Sequence, residues 1–194
     1  MNDFKFAYEV LYKGRRNEIL NVPTRDHVFE SVLSLFSDSP VNIFQVGAVE
    51  TFETGWRIGS GWSDLMWGEY IKKYGGNLVI ADKSLTNLAH STLAAVQLGY
   101  ADQLVTLYGD AIEHIDEGYD IYYLDGSDDP QEMLDQFNKI KHTNSVVVID
   151  DYSIKGTLVG NQSYDENYEV VVHQIAHRGD QTWLDIATID LRKQ

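Results

Sequence analysis

Three aspartates close two short apolar runs in the second half of the chain. Asp125 follows Tyr119 to Leu124, and Asp150-Asp151 follow Ser145 to Ile149. If these runs are neighbouring parallel strands, their ends lie ~4.8 Å apart and the carboxylates converge. Close carboxylates repel and raise one another's pKa unless a cation neutralises them. An all-oxygen set of this kind favours Mg²⁺, Ca²⁺ or Mn²⁺ over zinc. The plain alternatives are strand-end acids that face water, or an Asp125 that serves only a cofactor.

A second group lies nearer the N-terminus. Gln45-Val46-Gly47 ends an apolar run, and Gly59-Ser60-Gly61-Trp62-Ser63 precedes a helical pattern. Glycines between a strand and a helix let the backbone approach a ligand, whose charge then faces helix-terminal N–H groups. They also serve any tight strand-to-helix turn. Asp82 adds weight, because it ends the next apolar run 21 residues after Gly61. An acid at about that spacing, ~20 residues, accepts hydrogen bonds from ribose hydroxyls in nucleotide-binding α/β folds.

The elements that must hold these residues are readable from periodicity. Strands are expected over 41–46, 78–81, 103–108, 119–124 and 145–149, and helices over 63–74, 84–98 and 130–141, with a short amphipathic piece at 111–115. Pro23-Thr24 opens a further helix through Phe36, and the first 22 residues read as an irregular or short helical arm. Alternation of strand and helix argues for a parallel sheet covered on both faces. The rhythm breaks after residue 167, where Tyr168 to His177 and Thr182 to Leu191 flank the turn-like Arg178-Gly179-Asp180-Gln181, an antiparallel hairpin. The expected fold is therefore α/β: a three-layer, Rossmann-like, seven-stranded sheet, mostly parallel with a C-terminal antiparallel hairpin. Residues 1–40 would form an N-terminal arm or cap, and residues 41–194 the domain.

Composition narrows the function. The 194 residues carry 30 acidic and 15 basic side chains, a net charge of −15. Such a surface repels phosphate backbones, so nucleic acid is not an expected partner. There is no cysteine, which removes disulfides, thiol nucleophiles and Cys-type zinc sites. No apolar run reaches the ~18 residues of a membrane span. Met1-Asn2-Asp3-Phe4-Lys5 does not read as a signal peptide, so a soluble cytoplasmic protein is expected, with no membrane partner. A homo-oligomer is left open.

Residues 41–192 resemble the class I S-adenosylmethionine-dependent methyltransferases. Gln45-Val46-Gly47 with Gly59-Ser60-Gly61 looks like a split form of that family's first motif, and the terminal hairpin is similar to its reversed last strand. The resemblance implies cofactor binding by Gln45, Gly47, Gly59, Ser60, Gly61, Ser63, Asp82 and Asp125. It also implies that Asp110 and Ala111, in Gly109-Asp110-Ala111, read the adenine. Gln45 stands where the family has an acid, and Glu50 or Glu53 in the following long loop would replace that charge. Asp125, Asp150 and Asp151 match the metal positions of metal-dependent O-methyltransferases acting on catechols and sugar hydroxyls. The resemblance thus implies S-adenosylmethionine and Mg²⁺, or another hard divalent cation, as cofactors. The acceptor would be a small hydroxylated molecule, with Asp125, Asp128 and His114 as the catalytic candidates. A nicotinamide-dependent oxidoreductase and a non-catalytic binding protein of the same fold are the competing readings.

Overall fold

The computed structural model describes residues 25–50, 62–176 and 183–193. In chain order the elements are α1 (Arg25–Ser34), β1 (Val41–Val46), α2 (Ser63–Tyr74), β2 (Gly76–Asp82), α3 (Leu85–Leu98), β3 (Leu104–Tyr108) and α4 (Ala111–His114). There follow β4 (Ile121–Leu124), α5 (Pro130–Ile140), β5 (Val146–Asp150), α6 (Tyr152–Lys155), α7 (Thr157–Asp165), β6 (Val170–Ala176) and β7 (Trp183–Asp190). The strands form one sheet in the order β3-β2-β1-β4-β5-β7-β6. The first five are parallel, and β7 runs antiparallel between β5 and β6.

Alternation along each strand builds two cores. Ile43, Ile80, Tyr123 and Val148 point to one face, under Val28, Phe29 and Val32 of α1 and Trp67 and Ile71 of α2. Phe44, Ala81, Leu124 and Ile149 point to the other, against Phe137 and Ile140 of α5 and Val159 of α7. Both faces are therefore covered, which is why the central strands read as continuous apolar runs rather than as alternating ones.

Local chemistry sets the helix ends. The Ser84 hydroxyl accepts from the Asn87 N–H at 3.3 Å to start α3, and Gly99 ends it in the left-handed region at φ +83°. Pro130 sits in the first turn of α5, after Asp129, whose carboxylate accepts from the Gln131 N–H at 2.9 Å.

The expected strands and helices are present with ends shifted by one or two residues in most cases. The first helix is shorter, Arg25–Ser34 rather than through Phe36. Helices α6 and α7 were not anticipated. Two glycines break their pattern, and neither helix has a side-chain cap. The structure explains the glycines, since the Tyr152 ring fills the space that a Cβ at 156 or 160 would take. Among the described residues no helix is long and apolar enough to cross a membrane. The first 22 residues and the turn at 178–181 lie outside the described residues.

Candidate active site

The parallel strands deliver their C-terminal ends to one rim, where a cleft of about 390 Å³ opens. That is within the range, ~300–1,000 Å³, of small-molecule sites. The cleft has two halves, one at the ends of β1 and β2 and the other at the ends of β4 and β5.

Gly47, Ala48, Glu50, Ser63, Asp82 and Asn87 line the first half. Gly47 takes φ +90°, and a Cβ there would meet the Asp125 carbonyl oxygen at 3.0 Å. Only glycine combines that conformation with so close a crossing of β1 and β4. Asp82 is fixed by its surroundings. Its Oδ1 accepts from the Ser84 N–H at 2.6 Å, and its Oδ2 accepts from the Ala48 N–H at 2.8 Å and from the Asn87 amide at 3.4 Å. A carboxylate offers about four acceptor positions, so Asp82 keeps capacity for a ligand hydroxyl. Beneath this half, Asp64 at the start of α2 is fully buried. Burial pushes its carboxyl up to about 7, with Ser91 and the Leu65 N–H opposing.

The second half is built from paired charges. Asp125 Oδ1 accepts from Lys155 Nζ at 2.6 Å. The same ammonium lies 3.6 Å from Asp151 and 3.7 Å from Asp128. Asp150, 1% exposed, is gripped by the Arg25 guanidinium at 3.0 Å on Oδ1 and 2.8 Å on Oδ2. The buried Tyr123 hydroxyl donates to Asp150 Oδ2 at 2.7 Å and lies 3.3 Å from Asp125 Oδ2. Burial works against charge on Lys155, but Asp125, Asp151 and Asp150 together outweigh it and hold the ammonium protonated. Burial and Asp150 push the Asp151 carboxyl above the usual carboxylate range, with Lys155 opposing.

No protein-family model matches the chain, and no curated protein matches it by sequence. Solved structures match by shape. Cofactor-bound Rv0187 from MTB aligns at TM-score 0.65 and 14% identity, over 97% of this chain and 89% of that one. An O-methyltransferase from Bacillus cereus in complex with SAH aligns at 0.62 and 12%, over 98% and 91%. The O-methyltransferase TomG from Streptomyces achromogenes, involved in tomaymycin synthesis and in complex with SAM, aligns at 0.60 and 14%, over 94% and 88%. The fold is that of the class I S-adenosylmethionine-dependent methyltransferases.

On this methyltransferase fold the expected residues fall into three sets. Gly47, Ser63, Asp82, Asp125, Asp128, Asp150 and Asp151 do meet in the cleft, as does Glu50. Gly59, Ser60, Gly61 and Glu53 lie outside the described residues. Four others are placed away from the cleft's lining. The buried Gln45 turns its amide to the Gly47 carbonyl at 2.6 Å. Ala111 is packed into the core. Asp110 caps α4 through the Ile112 N–H at 3.2 Å and pairs with Lys83 at 3.2 Å. His114 sits against the Tyr108 carbonyl at 3.2 Å, at the end of β3 rather than beside the acidic cluster. Trp62 and Trp67 are core residues, Trp67 packing edge-on to Phe29 and Tyr123.

The divalent cation fits this donor set poorly. Arg25, Tyr123 and the Asp151 N–H fill the four acceptor positions of Asp150, and Asp125 is held by Lys155 on Oδ1 and by Tyr123 on Oδ2. Among the described residues no group of three acidic or histidine side chains is disposed to share an ion. The expectation of Mg²⁺ followed from counting the carboxylates without their partners. Arg25, Asn87, Tyr123 and Lys155 were missed. Tyr123 alternates with Asp125 along one strand, and Lys155 stands one helical turn after Asp151, so both had a local signal. Arg25, 125 residues from its partner, had none.

Proposed function

We propose that the protein is an S-adenosylmethionine-dependent methyltransferase acting on an oxygen of a small hydroxylated acceptor, of the sugar or catechol type. The observation that carries this reading is the meeting of Gly47, Asp82 and Asp125 on one rim of a cleft. S-adenosylmethionine, when bound, supplies a sulfonium methyl open to in-line attack. Asp82 would hold the ribose through its free acceptor capacity. Glu50, which lines the same half, would meet the methionine ammonium in place of Gln45. For Asp110 to meet the adenine amine, the base would extend past the cleft's lining and displace the exposed Lys83 from it.

The β4–β5 half would hold the acceptor. Its lining is almost wholly polar, which suits a hydroxyl-rich molecule better than an apolar one. Holding the hydroxyl at near-attack distance, ~3–3.5 Å, is the main contribution such a rim makes. The exposed Asp128, on the rim beside Lys155, is the residue best placed to take the hydroxyl proton as the methyl leaves sulfur. His114 lies at the β3 end and is not assigned that role.

Isothermal titration of the purified chain with S-adenosylhomocysteine, and separately with NADH, tests the proposal. Saturable binding of S-adenosylhomocysteine alone is expected. Saturable NADH binding without it would overturn the reading in favour of the oxidoreductase, and binding of neither would favour a non-catalytic protein.

A further inference from the structure

Three carboxylates converge where β4 and β5 end, and the chain brings its own cations to them. Arg25 arrives from α1 and Lys155 from the last residue of α6. Lys155 is 5% exposed, though lysine is rarely buried unless paired. Its ammonium lies among Asp125, Asp128 and Asp151, at 2.6, 3.7 and 3.6 Å. Only the Asp125 contact is a short hydrogen bond; the other two are ion-pair distances. An ammonium has three N–H donors, so Lys155, which lines the cleft, keeps donors for a ligand oxygen.

We propose that Lys155 is a built-in replacement for a divalent cation, so that this site works as a metal-independent one. This deepens the methyltransferase reading and rests on it for the chemistry, but not for the cation claim itself. Three observations agree. Asp150 has no acceptor position left for an ion, because Oδ1 meets Arg25 at 3.0 Å and the Asp151 N–H at 3.1 Å, and Oδ2 meets Arg25 at 2.8 Å and Tyr123 at 2.7 Å. Asp125 has its short contact with Lys155. An ion placed against Asp125 would also stand close to the ammonium and be repelled by it. Asp125 and Asp150 thereby each have a cation before any ligand arrives, and an ammonium reaches the β4–β5 half of the cleft. The role assigned to Lys155 is electrostatic: it presents N–H donors to an oxygen where an ion would present a coordination site.

The test is Mn²⁺ binding by electron paramagnetic resonance, on the wild-type chain and on Lys155→Ala, each with and without S-adenosylhomocysteine. The wild type is expected to leave the free Mn²⁺ signal undiminished at protein concentrations of 100 μM order, and its thermal midpoint to be the same in Mg²⁺ and in chelator. Lys155→Ala is expected to gain one bound Mn²⁺, at least tenfold tighter than any wild-type binding, and to lose it again when Asp125→Asn is added. Should Lys155→Ala not fold, as judged by circular dichroism, the shape-retaining Lys155→Gln takes its place. Stoichiometric Mn²⁺ binding by the wild type that Asp125→Asn abolishes would overturn the proposal, as would a folded Lys155 variant that still takes up no ion. Binding of S-adenosylhomocysteine, followed by calorimetry on the same samples, fails or succeeds separately, so loss of the methyltransferase reading would be distinguishable from loss of this one.

Discussion

The two halves of the cleft hold their carboxylates in different ways. Asp82 is held by N–H groups from neighbouring backbone, two residues on in sequence and at the tip of the adjacent strand, with Asn87 from the next helix. Asp125 and Asp150 are held by whole charges, Lys155 and Arg25, that come from other elements. Backbone donors stabilise a carboxylate without adding a side-chain cation, so Asp82 can still serve a neutral sugar. Paired cations bring their own desolvation cost and leave a partner stranded if one is removed. The first half should therefore tolerate substitution, and the second should not.

The largest expected effect tests the second half. Lys155→Met leaves Asp125 without its short partner, and a loss of about 3 kcal/mol in unfolding free energy is expected from the general cost of breaking a buried pair. Urea titration reads it. Partial recovery in Lys155→Met combined with Asp125→Asn would show that the loss is a stranded charge rather than lost packing. Arg25→Met should act likewise on Asp150, by about 2–3 kcal/mol, and Asp150→Asn should restore part of it. If neither single variant costs more than 1 kcal/mol, the contrast between the halves is void.

A smaller effect concerns pH. Asp64 is buried with no cation against it among the described residues, and its carboxyl rises to about 7 in the folded chain from 3.8. A raised folded pKa makes a contribution that is fully present below 3.8 and lost as pH rises through about 7. Asp64→Asn removes that dependence. Its stability advantage over the wild type should grow by about 2 kcal/mol between pH 5 and pH 8, in the direction linkage requires. A constant difference across that range would mean that Asp64 is solvated.

The smallest effect belongs to the first half. Asp82→Asn should weaken S-adenosylhomocysteine roughly tenfold, about 1.4 kcal/mol, since an amide accepts fewer hydrogen bonds from a diol. Calorimetry reads the affinity, and thermal unfolding should move little. A large loss of stability instead would show that Asp82 is a structural clamp first and a ligand group second.

This contrast also explains what was legible in the sequence. Asp82 could be read because its setting is local: a strand end, a following helix cap and a fixed spacing to the glycines. The parallel strands were readable because each is a continuous apolar run buried on two faces. The cluster at Asp125 and Asp150-Asp151 was legible as carboxylates but not as ion pairs. Arg25 lies 125 residues from Asp150, so no spacing rule joins them. The same holds for α6 and α7, whose glycines look like breakers until the Tyr152 ring is seen resting on them. Asp110 and His114 fell on the expected rim segment but turned to capping and carbonyl contacts there. Rim position is thus readable from sequence, and side-chain direction at the rim is not.

The placement of β7 has a consequence for how the chain is made. β6 emerges first in synthesis, yet its sheet neighbour is β7, the strand that follows it. Helix α1, far earlier in the chain, packs against both. A ribosome-bound chain with β1 to β5 already paired would therefore still carry an open β5 edge and a first helix without its contacts to β6 and β7. Completion of both would wait on the same late strand, which makes residues 183–190 the closing piece of the assembly.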